Sequence, residues 1–143
     1  MTATDVPFID TNILVHAYRL DDKEKHTIAK RILAACFNGT RRLVISNQVL
    51  GEFVRVMSHK VENPLPLEEI RRIVAEILIS PNWKKIDYTT DTIERALSLQ
   101  KKAYSWDLVI AQTMQENGFT LIYTENTKDF ASIPGIKTLN PFA

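Results

Sequence analysis

The stretch VPFIDTN, residues 6–12, places a carboxylate directly after a short apolar run. Such a run predicts a buried strand over residues 6–10. Similar runs predict further strands over residues 42–46, 84–88, 119–124 and 136–139. Helical patterns of about 10 to 15 residues separate these strands, and the alternation is typical of a parallel sheet with helices on both faces. We therefore predict an α/β fold.

The predicted helices rest on apolar residues at helical spacing between capping and breaking residues. Asn47 is a good N-cap for the helix after the second strand, and Ser105 is another for the helix that contains Asp107. Together the predicted helices cover residues 12–20, 22–37, 48–59, 67–79 and 106–117, with one more capped by Thr90 or Asp91.

Size and composition indicate one soluble domain. The 143 residues are 45% hydrophobic, with four Gly and six Pro, which suits a single core over residues 1–143 and excludes a collagenous or largely disordered chain. We expect no membrane span, because no apolar run approaches the roughly 20 residues needed. We expect no secretory signal either, because the N-terminus lacks a basic stretch followed by a long apolar core. A cytoplasmic protein is predicted.

Charge balance and common catalytic motifs narrow the function only by exclusion. The chain has 18 Lys and Arg against 17 Asp and Glu, and this net charge of +1 neither requires nor excludes nucleic acid. The sequence contains no G-x-S-x-G elbow, no Gly-rich phosphate loop and no zinc-ligand spacing. These absences argue against serine hydrolases, nucleotide-binding enzymes and zinc enzymes.

Acidic residues concentrate where the predicted strands end. Sites in open parallel sheets form beyond the carboxyl ends of the strands, and the acids placed near that edge are Asp10, Glu52, Asp107, Glu125 and Asp129. Two charges about 4 Å apart repel by about 4 kcal/mol at an effective dielectric of about 20, so a converging cluster needs protons or cations. Oxygen ligands favour Mg²⁺ or Mn²⁺ over zinc.

Each acid also has an ordinary structural explanation. The helix dipole favours Asp107 in a first turn, Glu52 could be an exposed helix residue, and Asp129 could stabilise a turn. Asp10 is the hardest to explain in this way, because it directly follows a buried strand. The agreement of all these placements favours a joint site.

Four segments carry a resemblance to a known family: FIDTNILVHAY at 8–18, SNQVLGEF at 46–53, SWDLVIAQ at 105–112 and LIYTENTKDF at 121–130. In this order they resemble the motifs of PIN-domain proteins, in particular the VapC-type ribonuclease toxins of prokaryotic toxin–antitoxin pairs. The match covers nearly the whole chain. It implies a metal-dependent endoribonuclease, built as a three-layer α/β/α sandwich around a mainly parallel sheet.

The resemblance also implies roles for individual residues. Asp10, Glu52 and Asp107 match the first three acids of the family's site, and Asp10 and Asp107 are expected to hold Mg²⁺ or Mn²⁺ that activates water for in-line attack on RNA. The fourth acid stays open between Glu125 and Asp129, because position 126 carries Asn where many members carry Asp. The residues expected to support the site are Asn12, Ser105, Thr124 and Asn126.

A cleft of carboxylates repels RNA, so basic residues must hold the RNA backbone at its rim. The candidates are Arg19, Arg41, Arg42, Arg55 and Lys128. Tyr18 and Trp106 are candidates to stack on bases, although the place of Trp106 beside the site helix favours a packed side chain.

Partners follow from the resemblance: an RNA substrate, a cognate antitoxin that inserts a basic side chain into the cleft, and a second copy of the chain. Residues 67–79 are a candidate dimer surface, although the same helix could simply cover the sheet. Two other functions remain open. One is a non-catalytic RNA-binding or interaction module on a degenerate PIN fold, and the other is an aspartyl-phosphate switch, which residue 12 disfavours because it is Asn rather than an acid.

Overall fold

The computed structural model describes residues 6–59, 61–99 and 104–143, so the first five residues of the N-terminal stretch lie outside the description. One sheet runs through the described part. Its strands are β1 (Phe8–Ile9), β2 (Leu43–Ser46), β3 (Trp83–Ile86), β4 (Leu121–Tyr123) and β5 (Lys137–Leu139). All of them pair in parallel, in the order β3-β2-β1-β4-β5.

Helices connect the strands and form the two outer layers. They are α1 (Thr11–Ala17), α2 (Lys23–Phe37), α3 (Asn47–His59), α4 (Leu67–Ile79), α5 (Thr90–Ala96), α6 (Trp106–Glu116) and α7 (Thr127–Ala131). Because crossovers between parallel strands are right-handed, α1 to α4 cover one face and α5 to α7 cover the other. The predicted three-layer α/β/α sandwich is confirmed. None of the helices in the described ranges is long and apolar enough to cross a membrane.

The centre of the sheet is buried on both faces. Phe8, Ile9, Val44, Ile45 and Ile122 have no exposed surface. Strands covered by helices on both sides carry continuous apolar runs rather than alternating ones, which is why these segments were recognisable in the sequence.

Several element boundaries differ from the prediction. β1 ends at Ile9, and Asp10 is the N-cap of α1 rather than the last strand residue. α5 is capped by Thr89 instead of Thr90 or Asp91. The segment after β4 contains the short helix α7, which the sequence pattern did not predict.

The start of α3 is also corrected. Ser46, not Asn47, occupies the N-cap position, because its buried hydroxyl accepts a hydrogen bond from the backbone N–H of Val49 at 3.2 Å. Asn47 is the first residue of the helix, and its side-chain oxygen accepts from the backbone N–H of Tyr88 at 2.9 Å. Ser46 therefore sets the start of the helix that carries Glu52.

The topology creates one crevice at the carboxyl edge of the sheet. β1 and β4 are neighbours, and Ile9 pairs with Tyr123. The chain leaves β1 toward β2 and leaves β4 toward β5, in opposite directions along the sheet. Such a reversal opens a crevice beyond the two strand ends. The residues that follow these strands, Asp10 and Thr124, border it.

We expect Ser46→Ala to lower the free energy of unfolding by about 1 kcal/mol, because removing an N-cap hydroxyl leaves a helix N–H without a partner. Urea denaturation measures the change. Ser58→Ala is the matched control: its hydroxyl donates to the carbonyl of Arg55 late in the same helix, so no N–H loses its partner. Equal stability of the two variants would contradict the role assigned to Ser46.

Candidate active site

Asp10 lies at the bottom of the crevice, and neutral donors hold both of its carboxylate oxygens. The backbone N–H of Thr11 donates to Oδ1 at 2.7 Å. The hydroxyl of Thr124 donates to Oδ2 at 2.7 Å, and the Asn12 amide donates to the same oxygen at 3.3 Å. Asp10 is only 5% exposed. Burial raises its pKa, the three hydrogen bonds oppose this, the charge of Asp129 adds to the rise, and the net shift is upward.

Thr124 and Asn12 connect Asp10 to the segment after β4. The hydroxyl of Thr124 accepts from the backbone N–H of Asn126 at 2.9 Å, and the Asn12 side-chain oxygen accepts from the backbone N–H of Glu125 at 3.2 Å. The two side chains therefore fix the carboxylate of Asp10 and the direction of the following turn together.

Asp107 and Glu52 reach the same crevice from α6 and α3. Burial raises the pKa of Asp107 to about 6, and the charges of Asp10, Asp129 and Glu52 add to the rise. Burial also raises the pKa of Glu52, which a hydrogen bond from Gln48 opposes and the charge of Asp10 reinforces. The pKa values of Asp10, Glu52 and Asp107 thus each respond to the charge of at least one other acid, so four of the five predicted acids, with Asp129 included, share one electrostatic environment.

These groups surround an open cleft of about 310 Å³. Its lining residues are Asp10, Thr11, Asn12, Val15, His16, Glu52, Val56, Asp107 and Asn126. Asp129 acts on Asp10 and Asp107 by its charge but is exposed on the first turn of α7. The cleft therefore holds a strong negative potential beside an apolar wall.

The donor set fits a hard divalent cation. The acids that reach the cleft offer carboxylate oxygens, and the charges that act on Asp107 are all negative, so a cation is what its environment lacks. In the part of the chain that is described, no three acidic, histidine or cysteine side chains stand close enough to enclose an ion. Mg²⁺ keeps several waters and takes few carboxylates directly, so its binding would not require three such side chains to touch the ion.

Glu125 has a different environment. It accepts a hydrogen bond from the ammonium of Lys25 and pairs with the His16 ring at 2.7 Å. Burial acts to raise the pKa of Glu125, but the bonds from Lys25 and His16 outweigh it, and the net shift is downward. Its negative charge is therefore already compensated by α1 and α2. Neither Lys25 nor His16 carried a sequence signal for this role.

The other residues expected to support the site differ in their exposure and in their contacts. Ser105 occupies the N-cap position of α6 but is exposed and makes no capping bond with its side chain. Asn126 lines the cleft, is exposed, and is the N-cap of α7. Gln48, which sequence reasoning missed, donates to Glu52 Oε1 at 3.0 Å and so orients that carboxylate.

Only some of the basic residues predicted at the rim lie near the carboxylates. Arg55 is exposed one turn beyond Glu52, and Lys128 is exposed beside Asp129. Arg41 and Arg42 precede the amino end of β2, at the opposite edge of the sheet from the carboxylates. Arg41 donates there to the phenol of Tyr123 at 3.1 Å.

Arg19 and Tyr18 lie beyond the far end of α1, where Arg19 pairs with Asp21 at 2.9 Å and Tyr18 packs edge-on against Phe53. Trp106 is 51% exposed, so the expectation of a packed side chain is wrong.

Comparison with protein families gives a match over most of the chain. A family model described as PIN domain matches residues 8–136. A comparison with curated protein sequences finds no significant match.

Solved structures with the same fold include VapC20 from Mycobacterium tuberculosis, described as a sarcin-ricin loop cleaving toxin, with a TM-score of 0.66 and 21% identity over 91% of this chain and 98% of that chain. A toxin–antitoxin complex from Klebsiella pneumoniae has a TM-score of 0.62 and 27% identity over 94% of this chain and 97% of that chain. DNA-bound VapBC from Salmonella typhimurium has a TM-score of 0.61 and 22% identity over 95% of this chain and 98% of that chain.

We expect the metal-free protein to become more stable as the pH falls from about 8 to about 5. An acid whose pKa is raised by folding, as that of Asp107 is to about 6, binds its proton more tightly in the folded state. The ionised form of Asp107 therefore lowers the free energy of unfolding above pH 6. Protonation restores that free energy as the pH falls toward about 4, the pKa of Asp in the unfolded chain.

Asp107→Asn is expected to be more stable than the wild type at pH 8 and to show a weaker pH dependence of Tm in the presence of EDTA. The control is Asp91→Asn, which removes an exposed acid from the first turn of α5 and should follow the wild-type profile. A wild-type profile in Asp107→Asn would contradict the electrostatic environment described for this carboxyl.

Proposed function

The chain belongs to the PIN domain family, and from that premise we propose that it is an endoribonuclease that hydrolyses RNA phosphodiester bonds with the help of Mg²⁺ or Mn²⁺. The observation that carries the proposal is the convergence of Asp10, Asp129 and Glu52 on Asp107, whose pKa burial and these three charges raise to about 6. A cluster with this potential stabilises a cation and is costly without one.

The residues of the chain have separable roles in this proposal. A divalent ion bound in the cleft would supply activation of water and stabilisation of the leaving oxygen. Asp10 and Asp107 would hold the ion, and Glu52 would complete the ligand set or hold waters around it. Thr124 and Asn12 aim the Asp10 carboxylate, while Gln48 aims Glu52. The products are expected to carry 5′-phosphate and 3′-hydroxyl ends.

We assign the fourth acid to Asp129 rather than Glu125. Asp129 raises the pKa of both Asp10 and Asp107 by its charge, so it acts on the cleft directly. Glu125 is committed to Lys25 and His16. With Asp129 in this role, Asn126 does not leave the site incomplete, and this weighs against a degenerate, non-catalytic module.

We further propose that the protein is the toxin of a toxin–antitoxin pair, acts in the cytoplasm and blocks translation by cutting tRNA, rRNA or mRNA. The support is the shared fold with VapC20 and with structures described as toxin–antitoxin complexes. The antitoxin would place a basic side chain in the acidic cleft.

A homodimer would pair through α4, whose residues Leu67, Leu78 and Ile79 are respectively 69%, 53% and 83% exposed. A groove of about 460 Å³ with an almost wholly apolar lining runs along this helix. Exposed apolar surface of this kind is typical of an interface.

We expect Asp10→Asn, Glu52→Gln and Asp107→Asn each to reduce divalent-dependent RNA cleavage by at least about 100-fold, because each removes a charge that the ion requires. Gel analysis of a labelled RNA mixture, with Mg²⁺, Mn²⁺ or EDTA, measures the rate. Asp91→Asn controls for the loss of an exposed acid. Cleavage that persists in EDTA would contradict metal dependence, and RNA binding without any cleavage would favour the non-catalytic module.

The two candidates for the fourth acid are separated by a matched pair of variants. Asp129→Asn is expected to weaken Mn²⁺ binding and cleavage by about 10-fold or more, because Asp129 acts on the cleft by its charge. Glu125→Gln should leave Mn²⁺ affinity unchanged and lower only Tm, because it breaks the pairs with Lys25 and His16. Isothermal titration with Mn²⁺ measures both variants, and the reverse order of affinities would assign the role to Glu125.

A further inference from the structure

A second groove, of about 400 Å³, adjoins the carboxylate cleft. It is lined by Asn47, Gln48, Gly51, Glu52, Arg55, Tyr88 and Trp106. On the basis of the proposed nuclease function, we propose that this groove binds one unpaired nucleobase of the RNA, stacked against Trp106, with a flanking phosphate at Arg55. The groove would therefore select the nucleotide next to the bond that is cut.

The groove offers an aromatic surface that the fold leaves uncovered. Trp106 is 51% exposed, and its ring contacts Tyr88 edge-on at 5.8 Å and Tyr104 edge-on at 6.3 Å. About half of Trp106 remains accessible beside these contacts, which leaves indole surface for a planar ligand. Exposed aromatic rings beside a cationic side chain are the usual means by which proteins bind unpaired bases.

Hydrogen bonds hold the backbone of both aromatic residues in place. Asn47 donates to the carbonyl of Tyr88 at 3.3 Å and accepts from its N–H at 2.9 Å. The amide nitrogen of Gln48 donates to the carbonyl of Trp106 at 3.1 Å. The backbone that carries the aromatic wall is therefore already fixed, which limits the entropic cost of binding a base.

The groove is continuous with the site of the proposed chemistry. Glu52 lines both cavities, and the same Gln48 amide bonds Glu52 Oε1 at 3.0 Å. An RNA strand whose phosphate reaches Asp10 and Asp107 therefore places a neighbouring nucleotide over Trp106.

Charge favours RNA over other occupants of the groove. The carboxylates of the cleft repel a phosphate backbone, so the adjacent contact must be attractive. Arg55 supplies a cation that lines the groove, one turn from Glu52. A planar base together with a phosphate matches an indole face together with a guanidinium.

Binding is measured without cleavage from the anisotropy of end-labelled single-stranded RNA hexamers titrated with each protein in EDTA, and tryptophan emission is followed in the wild type. The two tryptophans are Trp83, which is 1% exposed, and Trp106, so quenching by a stacked base reports on Trp106. Trp106→Ala should bind roughly 5- to 150-fold more weakly, the range expected for the loss of one base–aromatic stack. Trp106→Phe should recover most of the affinity, and Leu97→Ala, which removes the exposed apolar side chain at the C-cap of α5, should bind like the wild type.

Hexamers that lack one base separate stacking from a structural effect of the substitution. Removing the base that stacks should weaken wild-type binding but should not weaken binding by Trp106→Ala any further. Additive losses, or wild-type affinity in Trp106→Ala, would overturn the subsite. An apolar protein segment would be the better occupant if Trp106→Ala kept RNA affinity but lost binding to an antitoxin.

The outcomes also separate this proposal from the nuclease proposal. One outcome is quenching of the wild-type emission and weaker binding by Trp106→Ala, but no cleavage by the wild type in Mn²⁺. This outcome would retain the base subsite and reject the nuclease proposal. Cleavage by the wild type, with unchanged KM and unchanged cleavage positions in Trp106→Ala, would retain the enzyme and remove the subsite.

Discussion

The burial of one carboxylate at the end of β1 is the constraint on which the rest of the site depends. Asp10 is nearly inaccessible, and the donors that hold it are all neutral: a backbone N–H, a hydroxyl and an amide. Neutral donors orient a carboxylate without cancelling its charge. The raised pKa of Asp10 shows that these bonds do not fully offset burial. The fold thus keeps a charge available at the bottom of a cleft, at a cost in stability that packing elsewhere must offset.

Asp10 is also bonded to the helix that follows it and to the neighbouring strand, which is why the fold can hold its carboxylate in the cleft. Asp10 caps α1, and its backbone N–H donates to the carbonyl of Tyr123 at 3.1 Å. It therefore joins the first helix to the neighbouring strand β4 at the point where the chain directions diverge. Thr124 repeats the pattern from the other side by bonding both Asp10 and the turn after β4. Placement of the carboxylate follows from strand order and helix capping together.

Sequence reasoning succeeded where local rules decide the outcome and failed where distant partners decide it. The buried strands, the amphipathic helix over Leu67–Ile79 and the position of acids after the strands all follow from short-range patterns. Glu125 and Asp129 could not be separated in that way, because Lys25 neutralises Glu125 from 100 positions away and the turn at Asn126 starts a helix too short to show periodicity. Arg41 and Arg42 were misplaced for a simpler reason. Residues that precede a parallel strand lie at the edge opposite to its carboxyl end.

Gln48 connects the acidic cleft with the aromatic groove. Its amide nitrogen donates to the carboxylate of Glu52 on α3 and to the backbone carbonyl of Trp106 on α6. No strand pairing holds these two helices together. Since both bonds come from one rigid amide, they fix the Trp106 backbone and the Glu52 carboxylate relative to each other. In this proposal the aromatic groove and the acids are therefore held in one arrangement by a residue that also lines the groove. A nucleotide that fits the groove would bring its neighbouring phosphate to the acids in the correct position, so its fit would influence cleavage as well as binding.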